Sequence, residues 1–246
     1  MMGPLHPSRM GLEPLPLEDW MKPHPDDAVL LAERARIIAA HAGEVISALP
    51  DGETAVKELA TLLGIRDVES DAAATLAHLG RAVAEDLCIL TPADDGYLLT
   101  AGVLCFPNRW KLLEKIGTSV LAVHGPVPDY AASLSAGVDR FLARLRPDRA
   151  FVRSNWGMVD RPDLFVPEPT PAVDPHGVAP FFFRREDQSF RKLPATGAVI
   201  FAIRTHTVPW DAVPEDKRAA ILATIDSLDA SWLSYKSIAR GPSGRG

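Results

Sequence analysis

The chain has 246 residues, 24% of them charged and 47% hydrophobic, and carries a net charge of −6 at pH 7. This length suits one large domain with a substantial core, or a domain with a small helical extension. The acidic balance disfavours nucleic acid as a partner, and no apolar run reaches the roughly 18 residues that a membrane span needs.

The amino terminus lacks the basic and apolar regions of a secretory signal. Two cysteines, Cys88 and Cys105, are too few for a disulfide framework or for an iron–sulfur cluster. We therefore expect a soluble, cytoplasmic protein.

Residues 1–26 are rich in proline and predict an extended arm, with Leu12, Leu15, Leu17 and Trp20 as possible anchors. Apolar periodicity then predicts a helix over residues 28–49, capped by Asp26 or Asp27. A second helix follows the Pro-Asp-Gly turn at 50–52 and ends near residue 63. A third runs from residue 71 to about 85. Together they predict a helical layer over residues 27–85.

The pattern changes near residue 86 to that of an antiparallel sheet, which we expect over residues 86–236. Strands are predicted at 87–91, 97–105 and 150–156, and a further hairpin turns at 194–197. Helices are predicted from Pro107 to 115 and at 134–145, 217–228 and 231–236. The fold class is therefore α+β, with a single domain over residues 27–236 and a flexible tail over 237–246.

The segment from residue 181 to 206 carries polar side chains at alternate positions of apolar strands. Period-two alternation puts Arg184, Glu186 and Gln188 on one face of the first strand, and Arg204 and His206 on one face of the second. Such groups are costly to bury without partners, so they indicate a bound polar group. Alternatively, Arg184 and Glu186 form a surface pair on an edge strand.

His124 follows the apolar run 120–123, which suggests the end of a strand, and precedes a stiff Gly-Pro sequence. A rigid loop favours a metal ligand, although a histidine hydrogen-bonded in a turn fits the same pattern. Zinc-type and nucleotide-binding motifs are absent, whereas a large cofactor such as haem needs only one protein ligand. Cys105 is a conceivable thiolate ligand, but its position favours a buried inert thiol.

Several arginines are candidates for binding carboxylates, because guanidinium groups bind them in a bidentate manner. Trp156 either packs in the core or stacks on a cofactor. Tyr235 and Lys236 either cap a pocket or pack a terminal helix. The candidate arginines are Arg153, Arg184, Arg191 and Arg204.

Short motifs in a fixed order resemble one family. They include Leu104-Cys-Phe-Pro-Asn-Arg-Trp, His124-Gly-Pro-Val-Pro, Arg153-Ser-Asn-Trp and Arg184-Arg-Glu-Asp-Gln, followed by Ile203-Arg-Thr and Tyr235-Lys. The sequence resembles the haem-dependent oxidative N-demethylases, the haem-bearing subunit of a dimethylamine monooxygenase. The resemblance runs from about Met10 to Lys236.

The resemblance implies a PAS-like antiparallel sheet around a non-covalent haem b. It implies removal of a methyl group from a small secondary amine such as dimethylamine, using dioxygen and electrons from NADPH. Those electrons would arrive through separate flavin and iron–sulfur subunits, the expected partners. A haem-binding sensor or carrier without turnover is the alternative, and an interaction subunit without a cofactor is a third reading.

The resemblance also implies roles for individual residues. His124 is the first choice for the iron ligand. Glu186 would lie near the substrate amine or the bound oxygen, and Arg204 and His206 complete the expected catalytic group. His206 stands where the family often has tyrosine, so it is a second candidate ligand. The residues expected to contact the cofactor are Arg153, Trp156, Arg184, Gln188 and Arg191.

Overall fold

The computed structural model describes residues 11–25, 27–65, 71–128, 135–178 and 180–239. Its central feature is a seven-stranded sheet in which every neighbouring pair of strands is antiparallel. The strand order is β1-β5-β6-β7-β3-β4-β2. The strands are β1 (Glu13–Leu15), β2 (Ile46–Ala48), β3 (Asp86–Ala93), β4 (Gly96–Val103), β5 (Ala150–Val159), β6 (Phe182–Lys192) and β7 (Val199–Pro209).

Helices accompany this sheet in the α+β arrangement expected from the sequence, while a specific PAS-like relationship stays a prediction. No helix in the described ranges combines the length and apolar character needed to cross a membrane. The helices are α1 (Asp27–Val45), α2 (Glu53–Leu62), α3 (Ala72–Ala82), α4 (Leu112–Lys115), α5 (Val120–Val123), α6 (Ser135–Arg144), α7 (Glu215–Asp226) and α8 (Ala230–Tyr235).

The first three helices form the expected N-terminal layer and pack on one face of the sheet. Leu87 and Ile89 of β3 and Ile200 of β7 belong to the core that they share with these helices. Because successive strand side chains point to opposite faces, Cys88 and Leu90 lie on the other face. There they join a second core that includes Leu142 of α6. The sheet thus separates the helical layer from the region that contains the candidate site.

Helix α1 ends four residues earlier than predicted, because residues 46–48 form strand β2. Ile46 pairs with Val103 and Ala48 pairs with Ala101, so these residues satisfy their backbone groups through the sheet instead of a helix. The predicted helix over 28–49 is therefore wrong at its C-terminal end.

The predicted helix from Pro107 to 115 contains only α4 as regular helix. The Phe106 and Pro107 carbonyls accept hydrogen bonds from Arg184, and the Arg109 N–H donates to the Val166 carbonyl at 2.6 Å. These tertiary contacts take backbone groups that a helix would use. The loop of residues 104–110 is consequently held by Arg184 of strand β6 and by Val166.

The run before His124, expected to be a strand, is the one-turn helix α5. The Ser119 side chain accepts a hydrogen bond from the Ala122 N–H at 3.2 Å, which is the usual N-cap arrangement. His124 is the C-cap residue of this turn. Four apolar residues are too few for their periodicity to distinguish helix from strand.

The arm joins the body of the molecule through strand β1, which pairs with β5. Trp20 is buried, and Leu15 and Leu17 pack against the core beside the helical layer. The expected anchoring of the arm is therefore observed from Gly11 onwards. The start of the arm at 1–10, the alternative cap Asp26, the predicted helix start at 134 and the tail at 240–246 lie outside the described residues.

Candidate functional site

A cavity of about 470 Å³ lies on the sheet face opposite the helical layer. Its volume falls within the roughly 300–1,000 Å³ of small-molecule and cofactor sites. We call it the central cavity. Its walls come from β3–β7, α5, α6, α8 and the 104–110 loop, and its lining includes Cys88, Leu90, Leu99, Leu104, Phe106, Arg109, Lys115, His124, Phe141, Arg153, Asn155, Trp156, Glu186, Gln188, Phe190, Phe201, Tyr235 and Lys236.

His124 is half-buried in the wall of this cavity. Its Nδ1 lies 2.8 Å from the Val120 carbonyl oxygen, one helical turn back. A carbonyl oxygen only accepts, so Nδ1 carries the ring proton and donates it. Burial lowers the pKa of His124 and favours the neutral ring, whose lone pair is then on Nε2. A neutral imidazole oriented through Nδ1–H is the usual form of a metal-ligating histidine.

Glu186 is a nearly buried carboxylate on the wall formed by the sheet. Its Oε2 accepts a hydrogen bond from the Gln188 amide at 2.9 Å and from the Asn155 amide at 3.2 Å. Its Oε1 lies 4.0 Å from Arg184 Nε, beyond hydrogen-bond distance. Two amides therefore orient the carboxylate through one oxygen. The other remains available, in the described part of the chain, to a cationic ligand.

The structure places Arg184 beneath the cavity wall, on the face it shares with Glu186 and Gln188. Its Nη2 donates to the Phe106 carbonyl at 2.6 Å and its Nη1 to the Leu164 carbonyl at 3.2 Å. The alternative of a surface pair on an edge strand is wrong, because β6 lies between β5 and β7 and Arg184 is 1% exposed. Arg184 therefore fixes the 104–110 loop against the sheet.

Positive charge predominates in the described lining of the cavity. Four cationic residues, Arg109, Lys115, Arg153 and Lys236, accompany one carboxylate, Glu186. Burial lowers the pKa of Arg109, and its buried Nη1 makes no hydrogen bond within the described structure. The backbone of Arg109 is also held at a φ of 61°, a strained value for a non-glycine residue.

Lys236 follows helix α8 and contacts strand β5 beyond the residues that pair with β1. Its Nζ donates to the Trp156 carbonyl at 2.5 Å and lies 4.5 Å from the centre of the Trp156 ring. A longer contact of 3.4 Å joins it to the Asn155 side-chain oxygen. Asn155 thus connects Lys236 to Glu186. Tyr235 and Lys236 both line the central cavity, as expected if they cap a pocket.

Two residues expected in the catalytic group, Arg204 and His206, lie on the opposite face of the sheet. Arg204 pairs with Asp27 at 2.6 Å and with Glu85 at 2.9 Å, and His206 lies 3.7 Å from Asp187. The register explains this placement, because Arg204 opposes Asp187 whereas Glu186 opposes Thr205.

Arg191 is also turned away from the cavity, with its guanidinium 4.8 Å from the centre of the Trp20 ring. Arg204, expected in the catalytic group beside Glu186, instead pairs with Asp27 and Glu85 on the other face. In this structure Arg191, Arg204 and His206 do not line the central cavity.

Cys105 belongs to the core beneath the helical layer and does not line the cavity. Burial raises the pKa of its thiol to about 12, so it stays protonated near neutrality. The reading of Cys105 as a buried inert thiol fits this position. Among the described residues, no group of three or more His, Cys, Asp or Glu side chains is arranged to hold a metal ion.

The fold and the site therefore define an α+β protein with a cofactor-sized cavity, one neutral histidine and one oriented carboxylate. The model of a protein family described as haem-dependent oxidative N-demethylase, alpha subunit-like, matches residues 64–241. The chain belongs to this family. Its family is named for a haem-dependent oxidoreductase, and the description "alpha subunit" implies further subunits. The match begins near the end of α2, whereas the resemblance noted in the sequence began at about Met10.

The residues of the cavity fit a haem. Phe141, Phe190 and Phe201 would provide apolar surface for a porphyrin ring, and His124 would provide a nitrogen ligand. The excess of positive charge suits a cofactor with two carboxylates, and the buried unpaired Nη1 of Arg109 is a donor of the required kind. Arg109 was not singled out from the sequence. Its only signal there was its place in the Asn-Arg-Trp motif, since left-handed backbone cannot be read from composition.

Proposed function

We propose that this protein removes a methyl group from a small secondary amine, with a haem held in the central cavity by His124. Support comes from its family and from one observation on the site. That observation is a carboxylate, Glu186, held by two amides in the same cavity as a neutral histidine. The cofactor would be a non-covalent haem b, because burial keeps Cys88, the cysteine in the described lining, protonated, and the sequence has no Cys-x-x-Cys-His motif for covalent attachment.

Under this proposal, Glu186 Oε1 accepts a hydrogen bond from the ammonium group of the substrate. Gln188 and Asn155 hold the carboxylate in place, so that little freedom is lost when the amine binds. The apolar walls exclude water and strengthen this charge pairing. A carboxylate in hydrogen-bond contact with the ammonium group is also positioned to accept its proton before the methyl group is oxidised.

A bound haem would supply the oxidation of the N-methyl group by dioxygen. The balance is one amine, one dioxygen, two electrons and two protons in, and the demethylated amine, formaldehyde and water out. The electrons would come from NADPH through separate flavin and iron–sulfur subunits. Arg109 and Arg153 would bind the haem carboxylates, and Trp156 would pack beside Lys236 at the cavity wall.

The variant Glu186→Gln tests the role of the carboxylate. It keeps the size of the side chain and one accepting oxygen for Gln188 and Asn155, but removes the charge and the second accepting oxygen. We expect normal haem content and a loss of about a hundredfold or more in formaldehyde release from dimethylamine. The assay uses the haem-loaded chain with a flavin-containing reductase as electron donor.

Glu168→Gln is the matched control, because Glu168 is exposed and pairs with Lys111 at the surface. It should retain activity. Full activity in Glu186→Gln would remove Glu186 from the mechanism. A haem-loaded wild-type chain that never shows amine-dependent oxygen uptake would instead favour the sensor or carrier reading.

A further inference from the structure

Lys236 is a buried cation that the proposed reaction does not use. It is 3% exposed, and its ammonium group is held by the Trp156 carbonyl, the Trp156 ring and, at longer range, the Asn155 oxygen. Pinning a terminal helix to the edge of β5 would explain the first two contacts. It would not explain why the group that does so is ionisable and lines the cavity.

Each element around Lys236 contributes charged or titratable neighbours. Glu186 on β6 favours its charged form, whereas Arg153 on β5 and Arg109 in the 104–110 loop disfavour it. Tyr235 precedes it on α8, and Lys115 and His124 line other parts of the same cavity. Burial and the two arginines together lower the pKa of Lys236 to about 7. Unlike an arginine, a lysine in this position exchanges its proton readily near neutrality.

A cationic amine at Glu186 would place another positive charge in this confined space. Electrostatic repulsion between like charges is strong where water is excluded. The arginines cannot relieve it by losing a proton, because guanidinium stays charged in proteins. Lys236, whose pKa is lowered, can relieve it by breaking an Nζ–H bond and releasing the proton to solvent.

We propose that Lys236 releases its proton when a cationic amine binds at Glu186, so that the cavity does not hold the lysine ammonium and the substrate ammonium at the same time. This inference rests on the proposed function and deepens it, by making Lys236 a residue that couples amine binding to pH. A neutral lysine at this position keeps a lone pair and two N–H donors, which still suit the Trp156 carbonyl.

The sign of the effect follows from linkage. If amine binding lowers the proton affinity of Lys236, protonation of Lys236 must weaken amine binding by the same factor. Amine affinity should therefore rise as the pH increases from about 6 to about 8. If amine binding shifts the pKa of Lys236 by one unit, the affinity for the amine changes by about tenfold between the two protonation states. The ligand itself stays charged over this range, because aliphatic ammonium groups have a pKa of about 10.4.

Calorimetry on the haem-loaded wild-type chain gives the first test. Dimethylammonium is titrated near pH 7 in two buffers of different ionisation enthalpy, and the difference in observed heat counts the protons released. We expect a net release of a fraction of a proton. Dimethyl ether, which has similar size and no charge, is the control ligand and should release none.

Two substitutions give the second test. Lys236→Met removes the titrating group and should bind dimethylammonium with an affinity that no longer changes with pH. Lys236→Arg keeps the charge throughout and should bind more weakly, also without pH dependence. Lys115→Met removes another lysine of the cavity lining and should retain the pH dependence of the wild type.

The outcomes separate this inference from the function on which it rests. Amine binding without proton release, or a pH dependence that survives in Lys236→Met, would overturn the inference and leave the proposed function standing. Failure of dimethylammonium to bind the wild type at any pH would overturn both. Should the Lys236 variants fail to fold, the calorimetric result on the wild type decides the question alone.

Discussion

Arg34 and Asp86 form a fully buried ion pair between helix α1 and the start of β3. Arg34 Nη1 lies 2.6 Å from Asp86 Oδ1, and its Nε donates to the Gly80 carbonyl at 2.7 Å. The same carboxylate accepts hydrogen bonds from the N–H groups of Cys105 and Phe106. Asp86 therefore holds the start of the 104–110 loop through its backbone N–H groups, while Arg184 holds the same loop through its carbonyls.

Replacing Arg34 with methionine should destabilise the protein strongly. The substitution leaves the Asp86 carboxylate buried without its cation, and loss of one partner of a buried pair costs about 3–5 kcal/mol. The measurement is the free energy of unfolding in urea. The control is Arg36→Met, two residues further along α1, whose pair with Glu33 is exposed. We expect little change there, and equal effects of the two substitutions would contradict the argument.

The sequence predicted only in part which face of the sheet each site residue occupies. Alternation placed Arg184, Glu186 and Gln188 together correctly, because strand periodicity is local. It also grouped Arg204 with His206 correctly. Only the register of β6 against β7 decides that this second pair lies on the opposite face from Glu186, and register is a tertiary property.

Among the elements, helix α2 holds the turn that joins β6 and β7. Glu58 of α2 accepts hydrogen bonds from the N–H groups of Ala195 and Thr196 at 2.7 and 2.8 Å, and from the Thr196 hydroxyl at 2.6 Å. This contact fixes the two strands to the helical layer at the end of the hairpin. One of these strands carries Glu186, so α2 stabilises the scaffold of the site from a distance.

We expect Glu58→Ala to lower the free energy of unfolding by about 1–3 kcal/mol, because it removes charge-assisted hydrogen bonds to backbone groups. Thermal and urea unfolding measure the effect. Lys57→Ala, at the neighbouring exposed position of the same helix, is the matched control and should be nearly neutral. If Glu58→Ala were as stable as this control, the turn would not depend on α2.

Sequence patterns identified the long elements well and the short ones poorly. Helices α2 and α3 and the hairpin of β3 and β4 were predicted close to their observed bounds, because each repeats its apolar period several times. Strand β2 and helix α5 were assigned the wrong structure. With three or four residues each, they take their conformation from β4 and from the Ser119 cap.

For the molecule as a whole, haem binding and folding should be coupled through His124. A ligand that binds only the folded state stabilises it by about 2.7 kcal/mol at a hundred times its dissociation constant. We expect added haem to raise the midpoint of thermal unfolding of the wild type and to give the Soret spectrum of a histidine-ligated haem. In His124→Ala both effects should be lost or strongly reduced.

His206→Ala is the control for this experiment, because His206 is the other ligand candidate and lies away from the central cavity. It should retain both the spectrum and the stabilisation. A changed spectrum in His206→Ala with an unchanged one in His124→Ala would show that the ligand assignment is wrong.

The sequence by itself determined the fold class, the helical layer, the principal strands and the family, since these depend on local periodicities and on short motifs that follow one another in a fixed order. It also identified His124 and Glu186 as the residues to examine. Only the tertiary structure decided that Arg109 and Lys236 join them, and that Arg191, Arg204 and His206 do not. The physical reason is that a cavity wall is assembled from distant segments, so its members depend on strand register and loop anchoring that no local pattern encodes.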